Sequence, residues 1–241
     1  MTKGTLQTSE KTSEKTSKMT SEKPVALVVL LENVGHIVGI TLPQWAMNTI
    51  DYVTEEYAKI QLRLFGAYRK YDQVIILEDQ QANGKTLSQT LLSTSQTHQV
   101  DLILLVHGHK EILVGYKGRE YIGYETWNPL CETYEADASS LDLRMVFGIN
   151  CYGESLATVW QRMGAQACNG AVGVNWFPEP TLSVFLRNWL RGKPYGAAVR
   201  HSNVSANKAW KRILGSEYHQ WILDSTQIVF GEAQMKITGN Q

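Results

Sequence analysis

Seven aliphatic residues in an unbroken row, Val25-Ala-Leu-Val-Val-Leu-Leu31, restrict what this chain can fold into. A strand with one wet face alternates apolar and polar residues, whereas an unbroken run suits a strand covered on both faces. Gln73–Leu77, Asp101–Val106 and Leu143–Ile149 have the same character, and a fifth strand is expected at Ala171–Val174. Between these runs the apolar residues fall three and four apart, as on one face of a helix. Ala46, Ile50, Val53, Tyr57, Ile60 and Leu64 form the first such stripe, from about Pro43. Leu87–Ser95 gives a short helix, and Leu156, Val159, Trp160 and Met163 another, closed by Gly164. Leu182, Phe185, Leu186, Trp189 and Leu190 mark the next, and Ala206, Ala209, Trp210 and Ile213 the last. A short final strand is expected at Ile228–Phe230. Strands alternating with helices predict an α/β three-layer sandwich, a mostly parallel central sheet flanked by helices.

Residues 1–23 do not take part in this pattern. Their Thr-Ser-Glu-Lys repeats hold almost no apolar surface to offset the entropy of ordering, so they read as a disordered tail. Residues 24–241 then form one domain. Lys plus Arg and Asp plus Glu both number 23, so the formal net charge is zero and no basic run points to nucleic acid. No apolar run approaches the roughly 20 residues that span a bilayer. The three cysteines, Cys131, Cys151 and Cys168, include no Cys-x-x-Cys pair, which argues against a zinc site or a disulfide framework. A reduced, cytoplasmic setting is expected.

In sheets of this kind, sites gather at the carboxyl ends of the strands. His107 and Cys151 each follow a strand, and that turns two residues into a pair. A thiol attacks as thiolate, so a histidine within reach can take its proton. The oxyanion that forms next needs backbone N–H donors, for which Gly108 and Cys151 are placed. Gly108 lets the backbone approach a carbonyl closely, and Gly153 allows a turn into a helix whose N-terminus would favour a thiolate. Cys131 and Cys168 lack such a partner and read as structural. His107 and His109 alone are too few for a metal site, and no cofactor is expected. Asn83-Gly84-Lys85-Thr86 lacks the earlier glycine of a phosphate-binding loop, since that position is Asp79, and reads as a turn and helix start. There is no Gly-x-Ser-x-Gly elbow of a serine hydrolase.

Leu104-Leu-Val-His107-Gly108 and Phe147-Gly-Ile-Asn-Cys151-Tyr-Gly153 resemble the caspase-like clan of cysteine peptidases. In that clan one strand ends in His-Gly and the next in Cys followed shortly by Gly. The pair is 44 residues apart, from 107 to 151, near the caspase spacing of about 50. Met163-Gly-Ala165 with Ala171-Val-Gly-Val174 is similar to the clan's passage from helix to strand after the nucleophile. Ile228-Val-Phe-Gly231 is similar to the last strand of the bacterial CHAT branch or of gingipain-like relatives. The resemblance implies a caspase-like fold and a cysteine endopeptidase acting on protein or peptide substrates through a Cys-His dyad. The alternative is a caspase-like module without turnover, used for regulation or interaction, and a regulatory partner is left open. Caspases carry Gln-Ala before the nucleophile and metacaspases an acidic residue two before it, where this chain has Ile149 and Asn150. That argues against a preference for aspartate. Ile149, Asn175, Trp176 and Glu179 are the expected substrate-binding residues. The segment Tyr116 to Leu141 reads as an exposed loop, and an intact chain is expected to carry the activity.

Overall fold

A computed structural model of the chain describes residues 23–32, 56–176, 178–214 and 219–237. Residues 1–22 of the expected tail, and the first half of the first stripe, with Ala46, Ile50 and Val53, lie outside the described residues.

Six strands build the central sheet: β1 (Val25–Leu31), β2 (Gln73–Leu77), β3 (Gln99–Leu105), β7 (Leu143–Gly148), β8 (Ala167–Ala171) and β9 (Gln227–Gly231). Their order is β2-β1-β3-β7-β8-β9, and all neighbours run parallel except β8 with β9. A separate antiparallel ribbon of β4 (His107–His109), β5 (Ile112–Val114) and β6 (Tyr121–Ile122) follows β3. The helices are α1 over 56–64, α2 (Ala67–Lys70), α3 (Gly84–Ser95), α4 (Tyr124–Ala136), α5 (Ala157–Arg162), α6 (Thr181–Trp189), α7 (Tyr195–Leu214) and α8 (His219–Asp224).

Because side chains alternate along a strand, the sheet feeds two cores. Val28, Leu30, Leu102, Leu104 and Val146 pack against Leu87 and Leu91 of α3, Trp127 of α4 and Trp160 of α5. Leu27, Val29, Ile103, Leu105 and Phe147 face the other way, against Leu62 of α1, Phe185 of α6 and Tyr195 of α7. β1, β3 and β7 are thus covered on both faces, as their aliphatic runs require.

Four expectations change. The described part of the first stripe faces outward: Tyr57, Ile60 and Leu64 are exposed, Leu64 at 70%, while Ala58 and Leu62 are buried. Contacts on the flanking face fix the helix this way. Gln61 donates to Glu179 at 2.6 Å, and Lys59 pairs with Glu78 at 2.8 Å. The fifth strand is Ala167–Ala171, not Ala171–Val174. Asn169 hides it from a hydropathy pattern, yet its amide is satisfied by Gly148, Gln227 and Tyr195. The region between Tyr116 and Leu141 is no open loop, since it holds β6 and the thirteen-residue α4. The helix expected at Ala206–Ile213 is the second half of the twenty-residue α7.

At the amino ends of the parallel strands, buried polar groups pair with one another. Arg144 donates from Nε and Nη2 to the two oxygens of Asp101, at 2.8 and 2.6 Å. The Tyr71 hydroxyl donates to Asp101 at 2.7 Å and accepts from the Trp189 indole at 2.8 Å. A cleft of about 570 Å³ opens at this end, lined by Lys23, Asp142, Arg144, Glu232 and Lys236 among others.

Candidate active site

At the carboxyl ends β3 and β7 lie side by side, with Leu104 opposite Gly148, and the Ile149 N–H donates to the Leu104 carbonyl at 3.2 Å. Beyond this point each chain turns. β3 passes into the ribbon, where His107 pairs with Val114. β7 passes through Ile149 and Asn150 to Cys151. The two turns meet at Gly108: a Cβ there would stand 2.6 Å from the Cys151 carbonyl oxygen and 3.0 Å from the Asn150 amide nitrogen. Glycine is needed for this approach. A second tie joins them where the Glu111 N–H, at the tip of the ribbon, donates to the Ser155 hydroxyl at 2.7 Å, which itself donates to the Tyr152 carbonyl. His107 and Cys151 therefore stand on neighbouring strand ends whose loops are bolted together.

After Cys151 the chain makes a sharp turn. Tyr152 has φ 53°, in the left-handed region, a conformation that costs a non-glycine residue on the order of 1 kcal/mol or more. Its N–H donates to the Gly173 carbonyl at 2.7 Å. Gly153 then rests on the β8 backbone: a Cβ on Gly170 would come within 2.0 Å of the Gly153 carbonyl carbon. The helix expected here begins as a 3-10 turn, Gly153–Leu156, followed by the six-residue α5. So short a helix carries a weak dipole, leaving the thiol to nearer donors.

Cys151 is half-buried. Burial pushes its thiol above the ordinary 9.0, while N–H groups of Asn175 and of Cys151 itself pull it down by less. Burial outweighs these donors, so the environment of the sulfur favours the thiol over the thiolate. Burial likewise pushes Cys131 up, and Cys168 up to about 12. Both are buried in the first core, as expected of structural thiols.

Of the expected substrate-binding residues, Asn175 contacts the stretch just before Cys151, and Trp176 follows it in the chain. The Asn175 side-chain amide donates to the Ile149 carbonyl, and its Oδ1 is buried with no hydrogen-bond partner among the described residues. The Trp176 ring stacks on Trp221 with centroids 4.3 Å apart, and its indole nitrogen is also buried without a hydrogen-bond partner among the described residues. Ile149 does not line a pocket. It is 3% exposed and packs in the second core with Phe147 and Phe185, so only its backbone faces the site. The Glu179 carboxylate accepts from Gln61 and from the Ser183 hydroxyl, both at 2.6 Å, which commits it to joining α1 and α6.

Two buried polar residues of this region were not singled out from the sequence. Asn150, 2% exposed, touches Gly108 and Gly153 and donates to the Cys151 carbonyl at 3.3 Å. Glu32 directly follows β1: its N–H donates to the Leu105 carbonyl and its carboxylate accepts from the Lys117 N–H at 2.7 Å. A signal for it existed, a carboxylate directly after an aliphatic run at the carboxyl end of a strand. Among the described residues no group of three His, Cys, Asp or Glu could hold a metal ion.

Comparison with solved structures decides the architecture. The chain matches the Arg-specific cysteine proteinase gingipain R with a TM-score of 0.56 at 12% identity, over 89% of this chain and 48% of that one. The complex of the RgpB pro- and mature domains from Porphyromonas gingivalis gives 0.54 at 13%, over 89% and 48%. Caspase-1 from Spodoptera frugiperda gives 0.52 at 10%, over 88% and 89%. The chain has the caspase-like fold. It spans about half the length of the gingipain chains but nearly all of that caspase. No family model and no curated protein matches by sequence. His107 and Cys151 lie just beyond the carboxyl ends of β3 and β7, neighbours in this sheet. Among the described residues no helix is long and apolar enough to cross a membrane.

Proposed function

We propose that the chain is a cysteine endopeptidase. His107 takes the proton of the Cys151 thiol, and the thiolate attacks the carbonyl carbon of a peptide bond. Backbone N–H groups of Gly108 and Cys151 receive the oxyanion. His107 returns the proton to the departing amine, leaving a thioester. His107 then deprotonates a water, which attacks the thioester, and the proton goes back to the thiolate sulfur. One observation carries this reading: the His107 and Cys151 loops meet at a glycine that admits no side chain. A half-buried thiol whose environment favours the protonated form fits a nucleophile that is activated by a base.

The substrate is a protein or peptide, and aspartate is not the preferred residue before the cut. Asn175 and Trp176 give the wall beside Cys151 no positive charge, and desolvating an unpaired carboxylate there costs several kcal/mol. A fluorogenic peptide library read with wild type and Cys151→Ala tests both points. Hydrolysis by wild type alone, with aspartate disfavoured, is the expected result. Equal turnover by both proteins, or none by either, overturns the peptidase reading, and a clear aspartate preference overturns only the second point.

A further inference from the structure

Each of the two turns that meet at the site holds a residue other than glycine in the left-handed region. Glu111, at the tip of the ribbon that begins with His107, has φ 61°, and Tyr152, directly after Cys151, has φ 53°. Such a conformation persists only where the surroundings hold it. One hydroxyl is bonded to both residues. The Ser155 Oγ accepts from the Glu111 N–H at 2.7 Å and gives its single proton to the Tyr152 carbonyl, also at 2.7 Å. The other peptide groups of the pair are fixed without it. The Trp127 indole donates to the Glu111 carbonyl at 3.2 Å. The Tyr152 carbonyl also accepts from the Ser155 N–H at 3.0 Å, and the Tyr152 N–H donates to the Gly173 carbonyl at 2.7 Å. Each turn is thus held by bonds of its own, and what the hydroxyl adds is the link between them. Nor is it there to satisfy a buried group, because its bond to Glu111 is exposed and water could meet that N–H.

We propose that Ser155 is a positioning residue, which sets the separation of His107 and Cys151 by tying the tip of the ribbon to the turn after the nucleophile. This role rests on His107 and Cys151 being the acting pair of the peptidase reading. The two chains already touch once, where Gly108 meets the Cys151 carbonyl. A single contact leaves the ribbon free to rock against the other turn, and a second one at the tip stops it. Proton transfer needs heavy atoms within roughly 2.6–3.2 Å, and a misplacement of about 1 Å can cost on the order of 100-fold in rate. Ser155 touches neither substrate nor thiol in this scheme and acts only through Glu111 and Tyr152.

The test reads the pair without any peptide substrate. The full chain is alkylated with iodoacetamide near neutral pH, and labelling of Cys151 is timed by mass spectrometry of the fragment that carries it. The rate follows the share of thiolate, so His107→Ala is expected to slow it about tenfold and Ser155→Ala about fivefold. Because Ser155 acts through His107, the double variant should be no slower than His107→Ala alone. Ser155→Thr, which keeps the hydroxyl, is expected to track wild type. A Ser155→Ala protein labelled at the wild-type rate or faster overturns the proposal. So does a double variant slowed by the product of the two losses, about fiftyfold, which is what an independent effect on the fold would give. A Ser155→Thr protein as slow as Ser155→Ala overturns it too. Labelling of His107→Ala at the wild-type rate would bring down the dyad of the peptidase reading, and this role with it. A slow His107→Ala beside an unchanged Ser155→Ala brings down this role alone.

Discussion

The two ends of the sheet handle buried polarity in opposite ways. At the amino end Asp101, Arg144, Tyr71 and Trp189 satisfy one another in a closed set. At the carboxyl end Asn175 Oδ1 and Trp176 Nε1 are covered and meet no hydrogen-bond partner among the described residues, Tyr152 is held left-handed, and two backbone turns touch at Gly108. Unmet hydrogen bonds and local strain each cost about 1–3 kcal/mol, so a fold keeps them only where something else holds them in place. The ties between the ribbon and the turn after Cys151 do that here. One end is closed by side chains that satisfy one another, the other by backbone ties between two turns.

The sharpest way to break this comparison is to remove the reacting atoms. Cys151→Ala and His107→Ala are each expected to lower peptide hydrolysis by a factor on the order of 10⁴ or more, and the double variant by no more than either, because the pair acts as a unit. Circular dichroism and melting should match wild type. A single variant keeping a tenth of the activity would mean that the carboxyl end has another purpose.

At the amino end the loss should be in stability. Arg144→Met leaves Asp101 buried beside Tyr71 without its ion partner and is expected to cost about 3–5 kcal/mol in urea unfolding. Activity per folded molecule should be unchanged. A cost under about 1 kcal/mol would show that the closed set is not what seals that end.

Gly108→Ala lies between these extremes. Its Cβ would overlap the Cys151 carbonyl, with an expected cost of about 1–3 kcal/mol and a loss of turnover as the loops part. Gly123→Ala is the control, since a Cβ there meets Ile112 at an ordinary 3.4 Å and activity should be kept.

The smallest effect is a titration away from either end. Cys168, in β8, has its thiol pushed by burial to about 12, so on raising the pH the unfolded chain loses this proton first. The stability held by Cys168 is complete below about pH 9 and fades as the pH climbs towards 12, with a slope of at most about 1.4 kcal/mol per unit. Urea midpoints at pH 8, 9.5 and 10.5 should fall less steeply in Cys168→Ala than in wild type. Parallel slopes would mean that Cys168 ionises in the fold as readily as in water.

How much of this was legible in the sequence follows from where the information lies. β1, β3 and β7 could be read because strands covered on both faces need unbroken aliphatic runs, and the rule for parallel sheets then put His107 and Cys151 at one end. β8 was shifted because Asn169 and Gly170 break its run, and what excuses them, Tyr195, Gln227 and the Gly153 backbone, comes from elsewhere in the chain. Strands of two and three residues, as in β4 to β6, are too short to show a period. The side to which Ile149 points could not be read from a run that is apolar throughout. Glu179 looked like a free charge because the residue that engages it, Gln61, lies 118 positions away.

The backward run of β9 has a practical consequence. It returns the chain to the amino ends of the parallel strands, where Glu232 bonds Gln166 and Met235 bonds Tyr195, and Lys236 comes to share a cleft with Lys23. Both described termini therefore leave from the same base. A tether attached to either one, whether a solid support, a dye or a neighbouring domain, would grip the molecule from below and leave Cys151 pointing outward.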